Sequence, residues 1–334
     1  MISIIGGGPI GCYLGYLLAK HGKKVEIVEE HKVIGKPVSC TGLVTSKVFN
    51  YLDVPNDIIQ NRISKVRIYS PNDFLELKLR KPDIVLNRGK FDHYIAELAK
   101  KAGADIKLGV IWKDNKGKEI IIGADGPFSK VSEMIGNKKT GYMVGIQIRA
   151  ELKNDNAIEF YPYIGKFAWV VPENERIVKI GLVGTYDEFL KFMRLKDNPK
   201  IIEYQSGIIP VYDRKKKIQK NRTYLVGDAA GHVKATTGGG IIPGLTAAES
   251  LCKCIIKNKN YRKSIWKLRL ELWLHLRLSK MMDKFNDKDW DRLIKVFKKP
   301  RNRKLIENID RDNLFKIMIR LIKEPKLYYF IKYL

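Results

Sequence analysis

Cysteine and acidic charge are the two things this sequence has little of. Its four cysteines, Cys12, Cys40, Cys252 and Cys254, stand among 334 residues. They lack the paired spacing of a zinc site, so no metal is assigned. No secretory signal is evident, and so few cysteines fit a reducing cytoplasm rather than a disulfide framework. There is also no uninterrupted apolar window of about 18 residues, which excludes a transmembrane helix. Neither an internal repeat nor a low-complexity linker occurs. Acidic residues number 36 against 63 basic ones, leaving a formal charge of +27. The excess is heaviest after position 250. It implies attraction to polyanions such as nucleic acid, acidic lipid or a phosphorylated substrate, with a general lysine bias as the plain alternative. Apolar residues make up 45%, enough for a proper core. The length suits roughly two domains.

What is present is glycine in particular places. The chain is organised around 226–244, Val-Gly-Asp-Ala-Ala-Gly-His-Val-Lys-Ala-Thr-Thr-Gly-Gly-Gly-Ile-Ile-Pro-Gly. The apolar run from Thr223 to Val226 predicts a short buried strand that Gly227-Asp228 ends. Gly238, Gly239 and Gly240 stand just ahead of a helix predicted from Ile241. There, backbone N–H groups can point at an anion or a carbonyl oxygen. Asp228 is set to accept hydrogen bonds from hydroxyls. A ligand with both a polyol chain and phosphates suits this pair, and a flavin dinucleotide has both.

The N-terminus carries a second glycine pattern. Ile2 to Ile5 reads as a strand, Gly6, Gly8 and Gly11 spell G-x-G-x-x-G, and Tyr13, Leu14, Leu17 and Leu18 have helical spacing. Val25 to Val28 is a second strand closed by Glu29. In that context the glycines are a dinucleotide fingerprint. Gly6 permits the tight turn, Gly8 lets backbone approach a pyrophosphate, and Gly11 lets helix and strand pack. Glu29 would take ribose hydroxyls and disfavour a ribose phosphate. The fingerprint alone does not separate FAD from NAD.

A third ligand turn follows an expected hairpin. Ile106 to Trp112 and Glu119 to Ile122 read as its strands, with its turn at 114–117. Gly123-Ala124-Asp125-Gly126 comes next, where Asp125 is an acceptor and Gly126 gives clearance. Arg88, just before a helix expected over Phe91 to Ala102, could reach a phosphate. Cys40 sits in a Gly/Pro-punctuated turn that can leave it partly exposed, or it is a packed loop cysteine. Lys65 to Ile68 and Phe74 to Leu79 form a hairpin. Val144 to Ala150, Ala157 to Tyr163, Phe167 to Val171 and Ile177 to Val183 are the strands of a mostly antiparallel region rich in aromatics. Such a sheet could enclose a long apolar ligand. Residues 268–278 alternate like a strand, but their composition favours helix, which is expected there. Lys316, Arg320 and Lys323 share one face of a last helix expected over Asn313 to Lys323. The basic and aromatic residues there suit an anionic membrane surface, or the helix packs on its own domain.

Three separated turns thus point to one dinucleotide. The chain resembles the glutathione-reductase-type FAD fold of the aromatic-hydroxylase branch, and within it the geranylgeranyl reductase family. The resemblance covers residues 1 to 250. It rests on Gly35-Lys36-Pro37 through Cys40-Thr41-Gly42-Leu43, on Phe167-Ala168-Trp169-Val170-Val171-Pro172, and on Gly227-Asp228-Ala229-Ala230-Gly231 through the triple glycine. Val171 stands where the family has Phe, Ala235 where Pro is common, and Gly181-Leu182-Val183-Gly184 is one residue longer than Gly-x-Gly. The resemblance implies an α/β fold with an FAD-binding Rossmann-like domain (1–62, 84–140, 215–255). An antiparallel-sheet substrate domain (63–83, 141–214) and a helical C-terminal region (256–334) complete it.

The implied activity is FAD-dependent saturation of C=C bonds in geranylgeranyl chains of membrane-lipid precursors. Flavin hydride transfer must be coupled there to proton delivery, in a site that excludes water. The implied cofactor residues are Gly6, Gly8, Gly11, Glu29, Arg88, Asp125, Gly126, Asp228, Gly238, Gly239 and Gly240. Phe167, Trp169 and Pro172 would bind the isoprenoid, and Cys40 would tune the site or deliver the proton. With one fingerprint and no second dinucleotide domain, the electron donor would be ferredoxin or transiently bound NAD(P)H. The implied location is cytoplasmic, or peripheral at the inner face of the membrane. A flavin monooxygenase on the same scaffold is the alternative. A nucleic-acid-binding flavoprotein is a weaker one, because no nucleic-acid module accompanies the charge.

Overall fold

The structure, a computed structural model, describes residues 1–113, 119–138, 141–308, 312–321 and 324–333. The chain divides into two compact units. The first comprises Met1–Val38, Asn87–Tyr142 and Ile209–Trp273, the second Ser39–Leu86, Met143–Ile208 and Leu274–Leu334.

The first unit is built on strands β1 (Ile2–Ile5), β2 (Val25–Val28), β6 (Asp105–Lys107), β7 (Ile120–Gly123), β13 (Gln219–Lys220) and β14 (Thr223–Leu225). Their order across the sheet is β13-β14-β7-β1-β2-β6. All neighbours run parallel except β13 and β14. A central parallel strand is covered on both faces, so β1 and β2 are buried at every position. The helices are α1 (Pro9–Lys20), α2 (Arg88–Lys101), α3 (Lys130–Met134), α5 (Ile241–Lys257) and α6 (Tyr261–Ser264). Helix α1 buries Tyr13, Leu14 and Leu18, the apolar positions that its spacing sets on one side. Helix α7 (Trp266–Met282) carries the chain into the second unit and is helical, as its composition demanded.

The second unit holds strands β3 (Leu43–Val44), β4 (Ile59–Tyr69), β5 (Phe74–Leu86), β8 (Tyr142–Glu151), β9 (Ala157–Tyr161), β10 (Phe167–Pro172), β11 (Ile177–Val183) and β12 (Lys200–Pro210). They form one sheet in the order β12-β8-β11-β10-β9-β4-β5-β3. Strand alternation divides its residues between two cores. Ala168 and Val170 join Ile148, Ile180, Phe189 and Phe192 beneath α4 (Tyr186–Leu195). Trp169 and Val171 join Ile63, Val85 and Ile158 on the opposite face. Helices α8 (Asp287–Lys298), α9 (Pro300–Asn308) and α10 (Leu314–Leu321) follow.

One sequence expectation changes here. The hairpin over 106–122 is not formed. β6 is three residues long and pairs with β2, whereas β7 lies between β1 and β14, so the two occupy different places in a parallel sheet. Two apolar runs flanking a turn-like segment look alike in either arrangement, and the expected turn itself lies outside the described residues. The second sheet is mostly antiparallel, as expected, with one parallel pairing, β4 with β9. The pairing of β3 with β5 places Leu43 and Val44 in that sheet, and the unit boundary falls between Val38 and Ser39.

Candidate functional site

In the first unit β14, β7 and β1 are parallel neighbours, so the turns that follow them share one edge of the sheet. Ligands of open α/β sheets bind outside the carboxyl ends of strands. The turn after β1 is the fingerprint. Gly6 has φ +105°, and a Cβ there would lie 2.3 Å from the Ala124 carbonyl oxygen. A Cβ on Gly11 would fall 2.0 Å from the Gly6 carbonyl oxygen, so helix and strand approach as closely as the fingerprint requires. Gly8 behaves differently: a Cβ there would meet nothing within 4 Å, which leaves an open approach to backbone. Helix α1 starts with Pro9 at its first position and has no side-chain cap, so its first-turn N–H groups can take an anion.

Glu29 ends β2 beside this turn. Its Oε2 accepts from the Gly7 N–H at 2.6 Å, and its Oε1 from the His31 N–H at 2.9 Å and faces His31 Nδ1 at 2.6 Å. The carboxylate therefore stands at the fingerprint as expected, held by a histidine that the sequence reading missed. Cys12 donates its thiol to the Gly7 carbonyl at 3.1 Å, and burial pushes its pKa far up, so it is a packing group.

Asp125 follows β7. Its Oδ2 accepts from the Val131 N–H at the start of α3, at 3.3 Å. Its Oδ1 is buried with no partner among the described residues, and burial raises its pKa. Gly126 beside it is open. Asp228 follows β14, and among the described residues its carboxylate accepts no hydrogen bond. Burial pushes its pKa up to about 6, against the opposing charges of Arg88 and Lys216. A Cβ on Gly240 would come 3.2 Å from Asp228 Oδ1, so the triple glycine crosses directly beside the acid. Gly238 donates to the Lys234 carbonyl at 2.9 Å, and the Lys234 N–H returns to Gly239 O at 3.1 Å. The Gly239 and Gly240 N–H groups donate to no acceptor among the described residues, and α5 begins at Ile241 without a side-chain cap.

Arg88 is placed differently from the expectation. It is the first residue of α2, capped by Asn87. Its guanidinium grips Asp92 with two bonds of 3.0 and 2.8 Å. It also remains electrostatically close to Asp228. Three buried residues near these turns escaped the sequence reading: Tyr212, Lys216 and His232. Among the described residues the Tyr212 hydroxyl and both His232 ring nitrogens have no hydrogen-bond partner. Burial lowers His232 to about 3 and also lowers Lys216, which Asp213, Asp125 and Asp228 oppose. Nothing in the basic run 214–217 signals which of its members is buried.

Two uncapped helix starts, two carboxylates with unmet acceptor capacity and open backbone at Gly8 fit a dinucleotide bearing phosphates and a polyol. Polar groups buried without partners are uncommon in native proteins, and a ligand with complementary donors would satisfy these.

Cys40, in the second unit, is half-buried, whereas the three cysteines of the first unit are buried. Its sulfur accepts from the Gly42 N–H at 3.4 Å, which closes a tight turn. Phe167 and Trp169 lie on one face of β10, with ring centroids 5.8 Å apart. Phe160 on β9 sits opposite Trp169 in the pairing and extends the row. A Cβ on Gly181 would lie 2.5 Å from Trp169 Cζ2. The bare strand there lets the indole lie flat across β11. Pro172 is buried, and its carbonyl accepts from Asn61 at 3.0 Å.

Comparison with known proteins now bears on the whole chain. The family model of the NAD(P)-binding Rossmann-like domain matches residues 4–51. A digeranylgeranylglycerophospholipid reductase of Methanosarcina acetivorans is 30% identical over 74% of this chain and 73% of its own length. The chain belongs to this reductase family. A second member, from Methanocaldococcus jannaschii, is 28% identical over 99% of this chain and 97% of its own. A geranylgeranyl bacteriochlorophyll reductase-like protein from Thermoplasma acidophilum has the same fold, with a TM-score of 0.81 at 21% identity, covering 100% of this chain and 98% of that one. The near full-length match to the second member spans both units, so the region after 250 is part of the relationship.

Proposed function

We propose that the chain is an FAD-dependent reductase that saturates C=C bonds of geranylgeranyl chains in glycerophospholipid precursors. The observation that carries this is the set of turns after β1, β7 and β14, whose free backbone donors and unsatisfied carboxylates suit FAD, in a chain of this family. Gly8 and the start of α1 would hold the pyrophosphate, Glu29 the ribose, Asp228 further hydroxyls, and Gly239 and Gly240 a ring carbonyl. When bound, FAD supplies the hydride for alkene reduction. The protein must supply a proton and a dry channel, since an isolated trialkyl alkene is not polarised. Cys40 is the candidate for the proton. Phe160, Phe167 and Trp169 offer the apolar surface for the chain, with Pro172 at the end of the strand. The reducing equivalents come from ferredoxin or NAD(P)H.

The test has two arms. Denaturing the purified protein should release FAD and not NADP, identified by chromatography. Reduced enzyme should then saturate a digeranylgeranylglycerophospholipid without oxygen. Protein that stays colourless and cannot be reconstituted with FAD would defeat the cofactor assignment. A strict need for oxygen would move the reading to the monooxygenase alternative.

A further inference from the structure

The turn that carries Cys40 is fastened to the sheet of the second unit by two buried polar residues. Thr41 receives both fastenings. Its hydroxyl donates to Gln147 Oε1 at 2.6 Å, and its carbonyl accepts from Lys179 Nζ at 2.9 Å. Gln147 is on β8 and Lys179 on β11, and both are buried, at 5% and 4% exposure. Cross-strand register explains how they reach the same turn. Gln147 pairs with Gly181, Gly181 with Trp169, and Lys179 with Arg149 and Val171. Residues directly opposite share a face of the sheet. This row is therefore the face of Trp169.

Gln147 makes two further hydrogen bonds. Its Oε1 also accepts from Trp169 Nε1 at 3.0 Å, and its Nε2 donates to Gln205 Oε1 at 2.6 Å. One amide thus ties the Cys40 turn to the indole of the aromatic row. Lys179 pairs with the buried Glu173 at 3.2 Å, and Glu173 also takes Arg149 Nε at 2.6 Å. A buried lysine and a half-buried arginine around one buried carboxylate are a poor way to stabilise a sheet. Desolvation consumes most of what such pairs gain, and apolar side chains of similar volume often do as well or better. What this lysine adds, and an apolar residue could not, is a charged donor on a carbonyl next to Cys40.

We infer that Lys179 and Gln147 are positioning residues for the Cys40 turn, acting through Thr41 and coupling the turn to Trp169. The inference rests on the proposed role of Cys40. It is tested with Lys179→Met and Gln147→Leu in the flavin-loaded full chain, with Cys40→Ser in parallel. Hydrogen exchange should speed up at least tenfold in the peptide 39–45 of both variants and change little in β9 and β10. Single-turnover reduction of a digeranylgeranylglycerophospholipid in detergent micelles should slow about tenfold, with KM within twofold and flavin content unchanged. Combined with Cys40→Ser, neither variant should slow the reaction further, because the positioned group is already gone.

Unchanged exchange at 39–45 in both variants overturns the inference. So does equal loosening of the whole sheet in both, or a rate loss that persists in full on the Cys40→Ser background. Should Lys179→Met fail to fold, the neutral Gln147→Leu carries the same readouts. A Cys40→Ser enzyme with full rate defeats the proton-delivery reading, while the exchange data still decide whether these residues hold the turn.

Discussion

At the residue scale the acids of the first unit trade stability for binding. Asp228 has a folded pKa near 6 against an unfolded value near 3.8. A carboxyl raised on folding binds protons more tightly when folded. Its effect on stability therefore worsens as pH climbs from about 4 through 6. Asp228→Asn keeps the shape and removes the charge. The melting temperature of cofactor-free variant minus wild type should be more positive at pH 7 than at pH 4.5. FAD retention should weaken, since a charge-assisted hydrogen bond is worth roughly 1.5–3 kcal/mol. A variant that holds FAD as tightly as wild type removes Asp228 from the cofactor site. His232 has the opposite sign. Its folded pKa of about 3 lies below the ordinary value of 6.5, so it costs stability as pH falls from 6.5 towards 3. His232→Asn should therefore lose less melting temperature than wild type between pH 7 and pH 4, by calorimetry.

Legibility follows from the same residues. Gly6, Gly8, Gly11, Asp125 and Asp228 could be read because each requirement is local: a strand end, a tight turn, a helix start. Glu29 could be read because the fingerprint fixes its distance along the chain. Lys216, Lys179 and Gln147 could not. In a chain with 63 basic residues a buried lysine looks like any other, and only cross-strand register reveals where it points. The pairing of Arg88 with Asp92, one helical turn on, was not read from the sequence.

At the element scale β10 and β11 show what the sheet cannot tolerate. Gly181 faces Trp169 on one side, and a Cβ there would also lie 2.8 Å from the Ile146 carbonyl oxygen on the other. Backbone cannot yield cheaply, so Gly181→Ala must push the indole away and strain its bond to Gln147. The expected loss is on the order of 1–3 kcal/mol by urea denaturation, with a shift of Trp169 fluorescence. Gly181→Ala combined with Trp169→Phe should recover part of it. A neutral Gly181→Ala would mean that the strand spacing is looser than described. The strands themselves were legible by alternation, and α7 by composition. The parallel β4–β9 pairing and the separation of β6 from β7 were not, because partners far apart in sequence leave no local mark.

At the scale of the molecule the positive charge needs a use. No helix among the described residues is long and apolar enough to cross a membrane. Yet an enzyme for glycerophospholipid precursors must collect its substrate from somewhere. Helix α10 exposes Phe315, Met318 and Ile319 together with Lys316 and Arg320, while Leu314 is buried. Beyond Pro325, Tyr328 and Ile331 are exposed and Phe330 is buried against Phe285. Lys323, expected to extend the basic face, lies outside the described residues. Anchored at Leu314 and Phe330, this end shows water both apolar and basic groups, which suits the boundary of an anionic bilayer. Each basic residue near an acidic leaflet contributes about 1 kcal/mol, so reversible attachment follows from a few of them. We predict that the protein sediments with vesicles containing acidic lipid and not with neutral ones. The binding should fade between 0.05 and 0.5 M salt (about 14 to 4 Å of screening). Lys316→Glu with Arg320→Glu should abolish it, and Phe315→Ser with Ile319→Ser should weaken it, while FAD content and melting temperature stay unchanged. Binding that survives both pairs of changes would remove this segment from any membrane role and leave its apolar side chains as packing for another part of the protein.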